Sequence, residues 1–482
     1  MKIAIIGSGF AGIGMAIQLK KAGFDDFVIL EKDDDLGGTW RDNRYPGCAC
    51  DVPSPMYSFS YELNPSWSRL FAPQEEILAY LRRCVDKHGI GPHIRYGSAV
   101  DLLEWDDDAR HWRVSLTDGE VLTAKAVVSG IGALHVPSHP SIPGADRFGG
   151  TTFHSAQWDH SCDLTGKRVA VIGTGASAIQ FVPKVAEKAA SLRVFQRTPP
   201  WIQPKPDFVL PRWARTVLRY VPGAQRVFRN AIYWLLETRA TGFTINPKLM
   251  VPQEKVARAH LKRQIRDPEL RAKVTPGYTI GCKRILLSSD YYPALAEPHV
   301  DVITDGIAEI TETGLVTADG TAHDVDVIIY GTGFKVTDAL AEQHIVGRGG
   351  QKIQDAWADG IEAHHGTTVA GFPNLFMLLG PNTGLGHNSV VFMIESQVQH
   401  VMSCLRLLRE DKAEAIEVRL RAQRRYNDHL QRRLGKAVWN EGGCKSWYLD
   451  ENGVNRTLWP GFTFEFWART RHARRRDYDL SR

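Results

Sequence analysis

Glu31 and Arg197 hold the same place after two separate glycine-rich loops, and they carry opposite charge. The first loop is GSGFAG, with glycines at Gly7, Gly9 and Gly12; the second is GTGASA, Gly173 and Gly175 followed by Ala176, Ser177 and Ala178. Counted from the first glycine of each loop, 31 − 7 and 197 − 173 both give 24. A carboxylate at that spacing accepts hydrogen bonds from ribose hydroxyls and repels a 2′-phosphate. An arginine there offers a planar fork of donors to the same phosphate, with Thr198 beside it. The pair predicts FAD at the first loop and NADPH, in preference to NADH, at the second.

The elements that position these residues repeat. Ile3–Ile6 reads as a buried parallel strand and Ile13–Lys21 as a helix; Phe27–Leu30 is the next strand and ends at Glu31. The run 167–172, the second loop and the strand 192–195 repeat the order, with alanine in the third glycine place. A lone glycine fingerprint says little. Strand, loop, helix, strand and charged residue in order say much more.

A second glycine-bearing stretch, GGTWRDNRYPGCACD, runs from Gly37 to Asp51. Gly37 and Gly38 let chain lie flat against a cofactor, Thr39 beside them is a further cofactor-binding candidate, Trp40 and Tyr45 supply apolar walls, and Asp51 adds one carboxylate. The competing reading is that Asp51 only caps the turn before Pro53.

Between the two loops lies FGGTTFHSAQWD, with Phe148, Gly150, His154, Trp158 and Asp159 at fixed spacing. With Gly38, Trp40, Tyr45, Pro46, Gly47 and Asp51, this string makes the chain resemble the type I Baeyer–Villiger monooxygenases. As a plain linker the same string would hold a buried tryptophan and a capping histidine. The resemblance implies that NADPH reduces FAD and that the reduced flavin takes up O2 as a C4a-peroxyflavin. The peroxide then converts a ketone to an ester or lactone. It also implies residue roles. Asp51 lies near the isoalloxazine and pairs with Arg284; Lys283 contacts the 2′-phosphate; Arg284 stabilises the negative peroxide and adduct. Asn382 and His387 fall in the glycine-rich loop 380–389, expected at the pyrimidine end of the flavin, where His387 is either a donor or a loop cap. Trp447, in the stretch Gly443–Tyr448, is expected near NADPH and substrate; Trp459 reads equally as packing.

The expected fold class is α/β, with two Rossmann-like dinucleotide-binding domains of glutathione-reductase type and a helical insertion. The FAD domain is split between residues 1–140 and 330–482; the NADPH domain spans 141–329, with the insertion at about 203–275. Within the insertion, Arg212–Tyr220, Gln225–Arg239 and Glu254–Gln264 are rich in helix formers, and Tyr233–Leu236 reads as core or tunnel wall before membrane-surface patch.

Among 482 residues, 43% are hydrophobic and 23% charged, as in ordinary globular proteins. A net charge of +5 suits anionic cofactors and does not call for nucleic acid. Seven cysteines without a Cys-x-x-Cys pair disfavour a disulfide reductase and metal binding, and suggest reduced thiols in a cytoplasmic protein. No apolar run reaches the ~18 residues of a membrane span; the resemblance implies a small-molecule ketone as partner, and oligomeric state stays open. The runner-up activity is N- or S-oxygenation by a related flavin monooxygenase, whose linker usually lacks a Trp158-Asp159 ending.

Overall fold

The computed structural model describes residues 2–336, 343–444 and 446–482; Lys445, inside the stretch Gly443–Tyr448, lies outside them. Ile3–Ile6 is the middle strand of a five-stranded parallel sheet. It is flanked on one side by Phe27–Leu30 and Ile94–Arg95, and on the other by Ala126–Ser129 and Leu375–Met377. Ile3 and Ile5 join one core cluster while Ala4 joins another, which contains Trp105 and Trp112. Both faces are therefore covered, which is why the strand is apolar without alternation.

The second sheet is also five-stranded and parallel, in the order Val300–Ile303, Ser191–Phe195, Arg168–Ile172, Val327–Tyr330, Thr151–His154. Val327–Tyr330 is buried throughout. Gly7 follows Ile6 and Gly173 follows Ile172, so each glycine loop leaves the carboxyl end of an inner strand and enters a helix, Phe10–Lys21 or Ala178–Ala186. In open parallel sheets that end is where ligands bind.

The expected antiparallel excursion is present. Val100–Asp106, His111–Leu116 and Val121–Ala124 pair in succession, with Gly119 at φ +91° in the second turn. A later strand, His344–Val346, adds to its edge in parallel.

The insertion is helical. Arg212–Tyr220 has the expected bounds; the next helix runs Ala224–Thr244, five residues beyond the expected end, and Val251–Gln264 starts three residues early. The extension forms because Ala240 and Phe243 continue the buried stripe of Ile232 and Leu236. A parallel pairing of Ile202–Gln203 with Leu286–Leu287 closes the insertion at its base. Reading Tyr233–Leu236 as core or tunnel wall needs correction. Leu236 is buried and Tyr233 partly so, but Trp234 and Leu235 are exposed, because four consecutive residues of a helix span opposite faces.

Two further points concern expected absences. Among the described residues no helix is long and apolar enough to cross a membrane. The expectation of thiols throughout is corrected: Cys282 and Cys444, 162 residues apart in sequence, form a disulfide with Cα atoms 6.2 Å apart, and the other five cysteines are free.

Candidate active site

The two loops open on one cleft of about 1600 Å³, larger than the ~300–1,000 Å³ of an ordinary small-ligand pocket. Its walls include Gly7, Gly9, Gly38, Thr39, Trp40 and Tyr45 on one side, and Gly173, Gly175, Ala176, Ser177, Arg197 and Thr198 on the other. Asp51, Lys283, Arg284 and Trp447 line it as well.

Close approach demands the glycines at two places. A Cβ on Gly12 would fall 1.9 Å from the Gly7 carbonyl oxygen, so only glycine lets the helix pack on the loop. At Gly173, φ is +109° and a Cβ would lie 2.4 Å from the Gly331 oxygen. The small-residue turn 331–334 is what the second loop rests against, and Thr332 Oγ1 ties that turn to the Ser138 carbonyl.

Glu31 is buried. Burial pushes its pKa up, but hydrogen bonds from the Ser8 hydroxyl (2.6 Å), the Ser8 amide (2.8 Å) and the Asp33 amide, with Arg41 at 3.1 Å, leave it below the usual carboxylate value. It is therefore an ionised acceptor at neutral pH. Arg41 also meets Asp33 and Asp42, at 2.5 and 2.7 Å.

The second loop's charged residue is handled differently. Arg197 is exposed at the cleft and has no ion pair among the described residues. Lys283 is half-buried, with its ammonium 5.2 Å from the centre of the Tyr278 ring. Burial, then repulsion from Arg197, lowers the Lys283 pKa. Two cations thus face the cleft without an anion, and a phosphate between them would relieve both effects.

Asp51 and Arg284, 233 residues apart, form an ion pair. Asp51 Oδ2 accepts from Nε at 2.8 Å and from Nη2 at 2.6 Å. Asp51 raises the guanidinium pKa further and outweighs the opposing effect of burial. Arg284 keeps about a third of its side-chain surface, 34%, and its Nη1 has no partner among the described residues. Asp51 does not merely cap a turn.

Trp40 donates its indole N–H to Tyr57 Oη at 3.2 Å, and the Tyr45 hydroxyl donates to Gln180 Oε1 at 3.2 Å. Gln180 also bonds both backbone groups of Ala49, clamping the segment that carries Asp51 to the helix behind the second loop. Trp447 is half exposed at the cleft, its ring 4.5 Å from that of buried Tyr448. The disulfide joins the residue before Lys283 to the chain just ahead of Ser446–Tyr448, so it staples two walls of the cleft.

Two expectations meet a different geometry, and one open reading is decided. Asn382 does not line the cleft. It sits at φ +56° and donates to the Asn455 and Leu458 carbonyls, pinning the loop to the C-terminal segment. His387 is not a cleft donor either; it is buried with Nε2 3.5 Å from Glu237, on the insertion helix. Its neighbour Asn388 does line the cleft and donates to Glu237 at 2.7 Å. Trp459 is packing: its N–H bonds the Phe462 carbonyl and its ring meets Phe466.

The Phe148–Asp159 string lies outside the cleft wall. Gly150 has no room for a Cβ beside the Asp326 carbonyl, and Phe148 packs partly buried against the adjoining core. His154 caps the following turn through Nδ1, 3.1 Å from the Ala156 amide; burial, with His139 nearby, pushes its pKa down to about 4. Trp158 lies between Phe153, which it meets edge-on, and Phe181, to which it is tilted, and the partly exposed Asp159 accepts from Ser161. The capping histidine of the plain-linker reading is there, while its tryptophan is only partly buried against the core. His154 also touches Phe334, which does line the cleft.

A Baeyer–Villiger monooxygenase of Pseudomonas aeruginosa is 52% identical over 481 residues, covering 100% of this chain and 91% of that protein. The chain belongs to the Baeyer–Villiger monooxygenases. A second member, from Streptomyces coelicolor, is 47% identical over 100% of this chain and 93% of its own length. The family described as pyridine nucleotide-disulphide oxidoreductase matches residues 4–222. Among solved structures, OTEMO in complex with FAD and NADP superposes with TM-score 0.89 at 26% identity, covering 100% of this chain and 99% of that one. Oxidized steroid monooxygenase bound to NADP gives 0.88 at 28%, and closed cyclohexanone monooxygenase 0.89 at 27%, with the same coverage. This Baeyer–Villiger monooxygenase is therefore an FAD- and NADPH-dependent flavoenzyme of α/β fold that uses O2, and the N- or S-oxygenating alternative gains no support.

The residues present fit both cofactors: an ionised, ribose-accepting Glu31 beside the first loop, and two cations without an anion beside the second. Ser8, Arg41, Gln180 and Tyr448 were not singled out from the sequence. Ser8 alone had a signal, since it lies inside the first glycine loop.

Proposed function

We propose that this enzyme inserts one oxygen atom of O2 beside the carbonyl of a small-molecule ketone, giving an ester or lactone, and that Asp51 and Arg284 carry the site. The supporting observation is their ion pair on the wall of the cleft that both glycine loops share. FAD, when bound, supplies the electron transfer and oxygen activation that no side chain can. The chain's part is electrostatic. Asp51 fixes the guanidinium through Nε and Nη2 and leaves Nη1 free to donate to negative charge developing beside it. The raised pKa keeps Arg284 cationic across any working pH.

Glu31 is assigned to the FAD ribose, and Arg197 with Lys283 to the NADPH 2′-phosphate. Gly9, Gly175 and their neighbours would hold the pyrophosphates at the helix N-termini, with Gly12 keeping the first helix close to its loop. Residues 1–140 with 330–482 form the FAD domain in this reading, and 141–329 the NADPH domain. The family relation supports a ketone substrate: cyclohexanone monooxygenase and steroid monooxygenase share the fold. A cytoplasmic setting is supported by the five free cysteines.

The test is Arg284→Ala assayed with a ketone panel. NADPH oxidation and flavin content should persist while the product heavier by one oxygen falls by about a hundredfold or more, the range for losing one donor to developing charge. Product formation at the wild-type rate would refute the assignment.

A further inference from the structure

The helices Arg212–Tyr220 and Ala224–Thr244 leave an apolar face uncovered. On the first, Trp213, Val217 and Tyr220 recur at helical spacing and are 71%, 41% and 73% exposed; no residue of that helix is buried. On the second, Val227, Trp234 and Leu235 follow the same spacing at 70%, 59% and 62%. The Trp234 ring lies 6.1 Å from that of Phe464, which with Trp467 extends the face onto the helix Thr463–Thr470. Large apolar side chains exposed together in this way mark an interaction surface.

Along the stretch that carries the first helix and most of the second, the charge has one sign. From Phe208 to Leu236 there are five arginines, at 212, 215, 219, 226 and 229, and no Asp or Glu, in a chain whose whole net charge is +5. The acids that flank the stretch are engaged elsewhere. Asp207 binds Arg69 at 2.8 Å, Glu237 is buried against Asn388 and Thr463, and Glu395 accepts from Ser60 and, among the described residues, pairs only with the buried Arg229, 3.8 Å away. Arg229 is buried on backbone carbonyls and Arg219 donates to Ser66. Arg212 and Arg226 are exposed, with no side-chain partner among the described residues.

We propose that this face docks on an anionic phospholipid surface. Aromatic rings backed by arginines are the composition of a helix lying in the headgroup plane: tryptophan and tyrosine enter the acyl boundary while guanidinium groups meet lipid phosphates. The attachment is peripheral, since no described helix can cross a bilayer. A second copy of the chain fits less well. An isologous pair would set the same arginines against themselves, with no acid in the stretch to meet them.

The experiment is co-sedimentation of the full-length holoenzyme with phosphatidylcholine vesicles, and with vesicles containing about one-third phosphatidylglycerol. Binding should require the anionic lipid and weaken with salt. Arg212→Gln and Arg226→Gln should each lower partitioning about fivefold. Trp213→Ser and Trp234→Ser should each lower it about tenfold or more. All four variants should keep wild-type flavin content and NADPH oxidation in vesicle-free buffer. Brominated lipid should quench tryptophan emission of the wild type, a reading that stands if a variant fails to fold. No sedimentation with anionic vesicles, equal binding to both vesicle types, or no quenching would overturn the proposal. So would a dimer seen by light scattering that Trp213→Ser with Trp234→Ser splits, because the face would then belong to a second copy.

Discussion

Arg197→Ala is the substitution on which the coenzyme assignment can be measured. In the proposed reading Arg197 and Lys283 share the 2′-phosphate of NADPH, and NADH has nothing for them to hold. A charge-assisted hydrogen bond is worth about 1.5–3 kcal/mol, and exposure puts Arg197 at the lower end. A loss of about 1.4 kcal/mol is roughly tenfold in binding. The ratio of kcat/KM for NADPH over NADH should therefore fall about tenfold in Arg197→Ala, and about a hundredfold when Lys283→Ala is added. Most of the change should lie in KM for NADPH, with NADH kinetics nearly constant. The pH profile supplies a second reading. The protonated lysine binds phosphate, so NADPH affinity drops as pH rises through the Lys283 pKa, which burial and then Arg197 hold below the ordinary lysine value. Removing Arg197 removes one of those two causes, so the alkaline limb should shift to higher pH even as affinity at neutral pH declines. The assay is steady-state NAD(P)H oxidation, followed by the absorbance of the reduced nicotinamide, with a saturating ketone, across pH. Equal losses for both coenzymes, or an alkaline limb that moves down, would refute the reasoning.

Gly12→Ala should give a colourless protein or none at all, since its Cβ would sit 1.9 Å from the Gly7 oxygen and the loop would have to move; flavin absorbance of the purified variant decides it. Glu237→Gln should cost about 2–3 kcal/mol in chemical denaturation, because an amide donor would face the Thr463 donors that the carboxylate now satisfies. Burial raises the Glu237 pKa, but hydrogen bonds from His387, Thr463 and Asn388 leave it lowered overall. Its contribution is thus full above the unfolded carboxylate pKa and is lost as pH falls through the lower folded value, so Glu237→Gln should flatten stability against pH on the acid side. Thiol titration of the unfolded, unreduced chain should find five of the seven cysteines, and all seven after dithiol treatment; seven before treatment would dispose of the Cys282–Cys444 bridge.

The sequence by itself determined the parts that local backbone geometry enforces. A strand that turns through a glycine loop into a helix needs its glycines at set places, and the charged residue 24 positions on follows from the length of that unit. Both glycine loops, the parallel strands beside them and the insertion's helices are local in this sense, and the family is readable from two long strings of mixed chemistry. Only the tertiary structure decided which side chains meet across the chain. It gave Ser8 and Arg41 to Glu31, joined Cys282 to Cys444, and turned Asn382 and His387 from the cleft wall into pins for the loop that carries Asn388, whereas the Asp51–Arg284 pair was already implied by the family resemblance. The reason is physical. Spacing along a strand or helix fixes which face a residue occupies, but whether that face meets a cofactor, a core or solvent depends on segments hundreds of residues away, as the exposed Trp234 beside the buried Leu236 shows.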